Sequence, residues 1–404
     1  MRRRIPVVIA GLGVLLLLLA LLWKVFAPGQ LVKYKTDVDK TPHEVGSVTL
    51  YVDPATTAPV AKPTTFKLDV EARLHVVNHT SSTVVVDLDQ TQKIGPLPTA
   101  HANLQYVFNR RSMKNKTDDR AWAYQPSTVV DRSPNYAVIF PLHTGRGPYS
   151  LWKDETGSAF PATRVGNGTT KVGGTDLITM HGRIENAPVQ NYYIATLRSQ
   201  GIPQSLPLAQ LAPQLKAQGI DPTLLTTTVL PRLSATDRAT INSLLAQPVN
   251  LKYLLTGDTT WLVEPTTGVI TSIAVDQTFS VQPDITAIGR IQTILSKPQY
   301  ANDKTVGAGA STLAKLVAKP PTTRVLRVAY AQTPASVAEI TSYAQSLADQ
   351  QNLIERWIPL GLLVAGLVLL LVGIVLELLR RRRAPATPPA PPAATTGVGP
   401  SEPA

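Results

Sequence analysis

The stretch FPLHTGRGPYSLWKDETG, Phe140–Gly157, gathers a histidine, an arginine, a tyrosine, a tryptophan and two carboxylates around a glycine-rich turn. Such a turn could grip a phosphate if a helix N-terminus followed it. Here Gly145-Arg146-Gly147-Pro148 lies between two strand-like runs instead. The expected arrangement is therefore a hairpin, with strand Tyr136–Leu142, turn His143–Pro148 and strand Tyr149–Lys153. The six histidines are His43, His75, His79, His101, His143 and His181. His75 and His79 have the spacing of metal ligands on a helix, but they fall at a strand end and a turn, where that spacing loses its meaning. The chain has no cysteine, which excludes disulfides, thiolate catalysis and Cys-based zinc sites. Gly11–Leu16 begins like a dinucleotide fingerprint inside an apolar helix and lacks the rest of the motif. No P-loop and no Gly-x-Ser-x-Gly elbow is present. Carboxylates are sparse, and no acid–base pair stands out. The residues thus point to no catalytic group, no metal and no cofactor. Asn78, Asn115 and Asn167 head glycosylation-type triplets, which also recur by chance.

What remains is aromatic. Phe140, Tyr149, Trp152 and Trp261 fall in two expected hairpins, although aromatics make up only 6% of the chain. Tyr and Trp join a large apolar face to a polar tip, which suits the junction of an acyl chain and a polar head. They are the candidate ligand-binding residues. Ordinary core packing is the competing reading.

The elements that must position them start with two apolar runs. Ile5–Trp23 supplies about 19 residues, enough at ~1.5 Å each to cross a ~30 Å hydrocarbon layer. A cleaved signal peptide is the alternative, with Val25-Phe26-Ala27 as its cleavage site. The second run, Ile358–Leu379, has Trp357 at one end and Arg380, Arg381, Arg382 and Arg383 at the other. The net charge of +12 has half its excess at the two chain ends, beside these runs. That placement suits membrane orientation rather than nucleic-acid binding. Basic residues favour the cytoplasm, so Arg2, Arg3 and Arg4 and the C-terminal arginines put both termini inside the cell and the main domain outside it. The expected segments are an anchor over 1–27, an extracytoplasmic domain over 28–332, a stalk helix over 333–356, a transmembrane helix over 357–380 and a disordered Pro/Ala-rich tail over 381–404.

Between the anchors the pattern has period two. Ser47–Asp53, Phe66–Val77, Ser82–Ile94, Leu104–Ser112, Thr175–Ile184, Asn250–Leu255, Thr260–Val281 and Arg324–Tyr330 alternate apolar and polar residues, as half-buried strands do. Glu264–Gly268 is a turn with Pro and Gly where turn geometry wants them. Helices are expected after the Ser234 cap, over Ile285–Leu295, and from the Thr333-Pro334 start onward. Residues 202–247 read as a helical insertion, since prolines forbid a central strand there. The fold class is mainly β (α+β): an antiparallel β-rich domain with a helical insertion, flanked by two transmembrane helices.

Tyr106–Ser112, Tyr136–Thr144, Pro148–Gly157, Trp261–Ile270 and the final strand, stalk and anchor carry a resemblance. In order and spacing the chain resembles an actinobacterial domain-of-unknown-function family labelled PorA-type porins, which includes the mycobacterial polar growth factor A. The long insertion departs from that family's pattern. The resemblance implies a non-enzymatic envelope protein with a β-rich lipid-binding domain, linked to glycolipid export, envelope assembly and polar growth, beside an RND-type lipid exporter. It transfers no ligand residue. A pore-forming barrel would need membrane strands of about 9–11 residues and no helical spans. Two functions stay open: binding a membrane lipid or envelope glycolipid, or scaffolding envelope machinery without a small ligand.

Overall fold

The computed structural model describes residues 5–53, 59–199, 203–207, 212, 216 and 222–383. In chain order the elements are α1 (Ile5–Leu31), β1 (Asp39–Lys40), β2 (His43–Val52), β3 (Pro59–His79), β4 (Thr83–Ile94), β5 (Ala100–Asn109), β6 (Trp122–Ala123), β7 (Gln125–Val129), β8 (Tyr149–Lys153), β9 (Ser158–Arg164), β10 (Thr170–Val172), β11 (Thr175–Pro188), α2 (Asn191–Ser199) and β12 (Ser205–Pro207). After them come α3 (Ala235–Ala246), β13 (Pro248–Val263), β14 (Ile270–Pro283), α4 (Thr286–Leu295), α5 (Lys304–Ala318), β15 (Thr323–Gln332), α6 (Pro334–Asn352) and α7 (Ile358–Arg383), with a π-helical turn over Leu353–Trp357.

The chain forms two compact units, one from Met1–Val32 with Asn352–Ala404 and one from Lys33–Gln351. The larger unit is built on an antiparallel sheet in the order β7-β6-β5-β4-β3-β2-β15-β14-β13-β11-β9-β8. Alternation along each strand sends one set of side chains to a common face. Two apolar clusters sit on that face. One combines Val48, Leu68, Val70, Tyr253, Leu255, Phe279 and Leu326 with residues of α3, α4 and α5. The other joins Val86, Leu104, Tyr106 and Phe108 near one end of the sheet to Leu151, Phe160, Met180 and Trp261 near the other. A single cluster fed from both ends means that the sheet curls over its own face as a half-barrel. β7 and β8 remain its two ends.

In the smaller unit α1 and α7 pack closely. A Cβ on Gly13 would lie 2.6 Å from the Leu370 backbone nitrogen, and one on Gly373 would lie 2.7 Å from that of Ala10. Trp23 Nε1 donates to the Ile354 carbonyl at 2.9 Å. Residue numbers rise along one helix as they fall along the other, so the pair is antiparallel. Both helices are long and apolar enough to cross a membrane.

Most expected strands are present, with the Glu264–Gly268 turn joining β13 to β14 and Ser234 capping α3 through the Asp237 amide. Tyr136–Leu142 is a correction, because it is not a strand. Only Tyr136 makes a bridge, to Leu151, while the Phe140 and His143 amides donate to Gly268 and Thr266 carbonyls. Pro134 and Pro141 have no N–H to offer a ladder. The hairpin partner of β8 is β9 instead. Within the 202–247 insertion, Ser205–Pro207 pairs with Pro248–Asn250, so that piece is strand rather than helix. Prolines are tolerated there because the pair lies off the main sheet path. His75 and His79 both lie in β3. Arg381–Arg383 extend α7, whereas Arg2–Arg4 and the tail from Ala384 lie outside the described residues.

Candidate functional site

The four aromatics do not share one surface. Phe140 is fully buried (0% exposed) and Trp261 nearly so (5%). The Phe140 ring meets Tyr149 edge-on at 5.7 Å and Trp261 at 5.8 Å. Tyr149 is half-buried, and its hydroxyl accepts from the Gly145 amide at 2.6 Å. These three are brought together as a packed part of the second apolar cluster. Trp152 also packs against this cluster, but from the opposite face of β8 to Tyr149 and Leu151, and its Nε1 is sealed without an acceptor.

Beside this cluster lies a buried ion pair that anchors the β8–β9 turn. Arg132 is only 1% exposed. Its Nε donates to Asp154 Oδ1 at 2.7 Å, and its two terminal nitrogens donate to the Gln105 and Trp122 carbonyls at 3.0 and 3.1 Å. The Tyr106 hydroxyl donates to Asp154 Oδ2 at 2.9 Å, under an Arg132 guanidinium 4.4 Å from the ring centroid. The Tyr192 hydroxyl reaches the Asp154 carbonyl. Burial pushes the Asp154 carboxyl above the usual range, and Arg132 pulls it back. Every polar atom of the Asp154 side chain is paired, so this network holds structure.

A second set of polar groups is different. Glu44 on β2 lies directly opposite Gln332 on β15, in the same inward phase as Val48 and Val52. On β15 Tyr330 shares that face, and on β14 Gln277 does, two residues from Phe279 and Val275. Glu44 and Gln277 are each only 6% exposed. Over the same face, Tyr193 of α2 stacks on Phe279 at 5.7 Å. Tyr124 meets Tyr193 edge-on at 5.2 Å and stacks on Tyr192 at 5.8 Å. Tyr124 holds a left-handed backbone, φ 60°, which a residue with a large side chain rarely adopts. Lys153, in phase with Tyr149 and Leu151, pairs with Glu155 at 2.9 Å.

The electrostatics tie these groups together. Burial raises Glu44 to about 7, against the opposing pull of Lys153. Burial also drives Tyr330 well up, with the Glu44 and Glu155 carboxylates and Tyr193 adding to it. Tyr124 is raised by burial and then by Glu155 and Tyr193. Among the described residues, no group lies within hydrogen-bonding distance of the Glu44 carboxylate or the Tyr124, Tyr193 and Tyr330 hydroxyls. The side-chain oxygens of Gln277 and Gln332 are sealed without a donor. Buried polar groups are ordinarily paired. A polar layer left unpaired between two apolar clusters can take up a ligand's polar head, and it is the candidate site. Among the described residues no cluster of three potential metal ligands occurs.

Sequence reasoning missed this layer, though one signal was readable. Glu44, Lys153 and Gln277 each occupy the inward phase of a strand whose other inward residues are apolar. A polar residue in the core phase is a departure that a fold must either pair or use.

An antiparallel β-rich domain carried on a chain with two membrane-length helices defines a membrane-protein class. The chain belongs to the PorA family, since the family model described as Porin PorA matches residues 5–375. That membership places it among non-enzymatic membrane proteins of the cell envelope. No curated protein matches the chain. Among solved structures, a MaoC domain protein dehydratase from Chloroflexus aurantiacus J-10-fl aligns over 78% of this chain and 80% of its own, at 11% identity and a TM-score of 0.10. At that TM-score the likeness carries no argument about fold or activity.

Proposed function

We propose that the β-rich domain sits outside the cytoplasm and binds an envelope lipid or glycolipid, supporting envelope assembly and growth at the pole. The carrying observation is the layer of buried, unpartnered polar groups around Glu44, set between two apolar clusters on the inner face of an open sheet. An amphiphile has the matching character: a polar head for the layer, and methylenes worth about 0.8 kcal/mol each when buried. The ends β7 and β8 leave the sheet unclosed among the described residues, which favours a lipid-holding half-barrel over a water-filled pore. An RND-type lipid exporter is the partner class that the family resemblance implies.

The test is extraction of the full chain purified in a polyoxyethylene detergent, with mass spectrometry of retained lipid. The expected result is a lipid at near-stoichiometric amount. It should be reduced in Tyr193→Ala and Tyr330→Ala by more than their loss of thermal stability accounts for. The scaffold reading draws on the packed burial of Phe140 and Trp261. It requires that the wild-type protein retain no lipid and that both variants be strongly destabilised.

A further inference from the structure

We propose that the polar layer is a recognition site for a positively charged amine in the head of an amphiphile, with Glu44 as its counter-ion and tyrosine rings as its walls. This rests on the lipid-binding reading and adds the class of head group.

The charges decide between classes. Asp154 is matched by Arg132 at 2.7 Å, and Glu155 by Lys153 at 2.9 Å. Among the described residues, that leaves Glu44 as the carboxylate of the layer with no hydrogen-bonded cation. A lone buried carboxylate is costly unless a cation meets it or it takes up a proton. The hydrogen-bonding inventory points the same way. Two amide oxygens, on Gln277 and Gln332, are sealed without a donor, and the Glu44 carboxylate beside them accepts from no protein group among the described residues. An ammonium supplies donors and charge together. Tyr330 shares the inward face with Glu44, and Tyr193, stacked on Phe279 of that face, meets Tyr124 edge-on. Tyrosine faces attract a desolvated cation. A phosphate head would meet the Glu44 carboxylate as a like charge, and Lys153, the cation near it, is already held by Glu155. A neutral hydroxylated head could pair with the oxygens but would leave the Glu44 charge unmatched.

The experiment titrates the full chain, in polyoxyethylene micelles, with dodecylamine, decyl glucoside and dodecyl phosphate by calorimetry. Wild type is expected to hold dodecylamine at least about tenfold tighter than either other probe. Glu44→Gln should erase that preference, bringing dodecylamine down to the affinity of decyl glucoside. A second arm needs no variant. The wild-type preference for dodecylamine should fade as pH falls through about 7, where the buried Glu44 takes up a proton. The charged or titratable groups coupled to Glu44 are Lys153 and Tyr330. Equal affinity for the three probes overturns the proposal. So does a preference that survives Glu44→Gln. If that variant does not fold, a preference independent of pH overturns it. Retention of decyl glucoside without dodecylamine would remove the amine and leave lipid binding standing. Retention of neither would remove both.

Discussion

Glu44 shows at the scale of one side chain how an unpaired polar group differs from a structural pair. Asp154, equally buried, is surrounded by donors from Arg132 and Tyr106 and serves packing. Glu44 has no such shell, and burial lifts it from 4.5 to about 7. A carboxyl whose folded value is raised makes the folded state bind the proton more tightly than the unfolded chain does. Its stabilising contribution is therefore full below the unfolded value and is lost as pH rises through the folded one. The window is between 4.5 and about 7. A shift of this size corresponds to about 3 kcal/mol at most. The expected outcome is that the unliganded protein melts at a higher temperature at pH 5 than at pH 8, once other titrations are subtracted through Glu44→Gln. The variant should be less sensitive to pH across that window. Thermal melting of both proteins at a series of pH values checks it, and identical pH profiles would refute it. The layer was only partly legible beforehand. Strand phase exposes Lys153 and Gln277 as polar residues in apolar company, but the expected strand begins at Ser47 and leaves out Glu44, which β2 includes, and Tyr124 and Tyr193 come from a loop and a short helix. Nothing local in the sequence says that they meet.

At the scale of elements, the β13–β14 turn carries more than its own hairpin. Glu264 accepts from the Thr266 and Thr267 amides and from the Thr267 hydroxyl, which closes the turn. Gly268 sits at φ 73°, and a Cβ there would lie 2.3 Å from the Phe140 carbonyl oxygen and 2.6 Å from that of Pro141. Its own carbonyl accepts from the Phe140 amide at 3.0 Å. The turn is thus the seat on which the Phe140 segment is placed. Gly268→Ala combines a left-handed backbone with a collision against backbone atoms, and such strain costs about 1–3 kcal/mol. The expected loss is at least about 2 kcal/mol in chemical denaturation, with the Phe140, Tyr149 and Trp261 cluster loosened in near-ultraviolet circular dichroism. A variant as stable as wild type would show that the segment docks independently of the turn. The long alternating strands and the Pro-Gly turn were legible because period two and turn chemistry are local signals. The Phe140 segment was misread because its apolar residues look like a strand, while its hydrogen bonds go to a turn more than a hundred residues away. The helix Lys304–Ala318 went unread, and its partners lie in the first apolar cluster far from it in sequence.

For the whole molecule, the antiparallel packing of α1 against α7 bears on which side of the membrane each end lies. Gly13, Gly366 and Gly373 bring the two backbones close: a Cβ on Gly366 would lie 2.9 Å from the Gly13 carbonyl oxygen. Small residues at a helix crossing let van der Waals contact hold a pair together in lipid, where the hydrophobic effect gives no drive. An antiparallel pair that spans the bilayer puts its two outer ends on one side. The positive charges select which side. Arg2–Arg4 precede one helix and Arg380–Arg383 end the other, and basic residues stay cytoplasmic. Both termini are therefore expected in the cytoplasm and the β-rich unit outside. Reporter fusions active only in the cytoplasm or only outside it, placed at residue 1 and at residue 404, test this directly. An external signal from either end, or cleavage after Ala27, would break the scheme. Replacing Gly366 by leucine should separate the helices without inverting them, because packing and charge act independently. Cysteine cross-linking between positions 23 and 354, which are neighbours in the native pair, would then fall while both fusions kept their signal. If Gly366→Leu moved a terminus across the membrane, helix pairing rather than arginine placement would be what sets the topology.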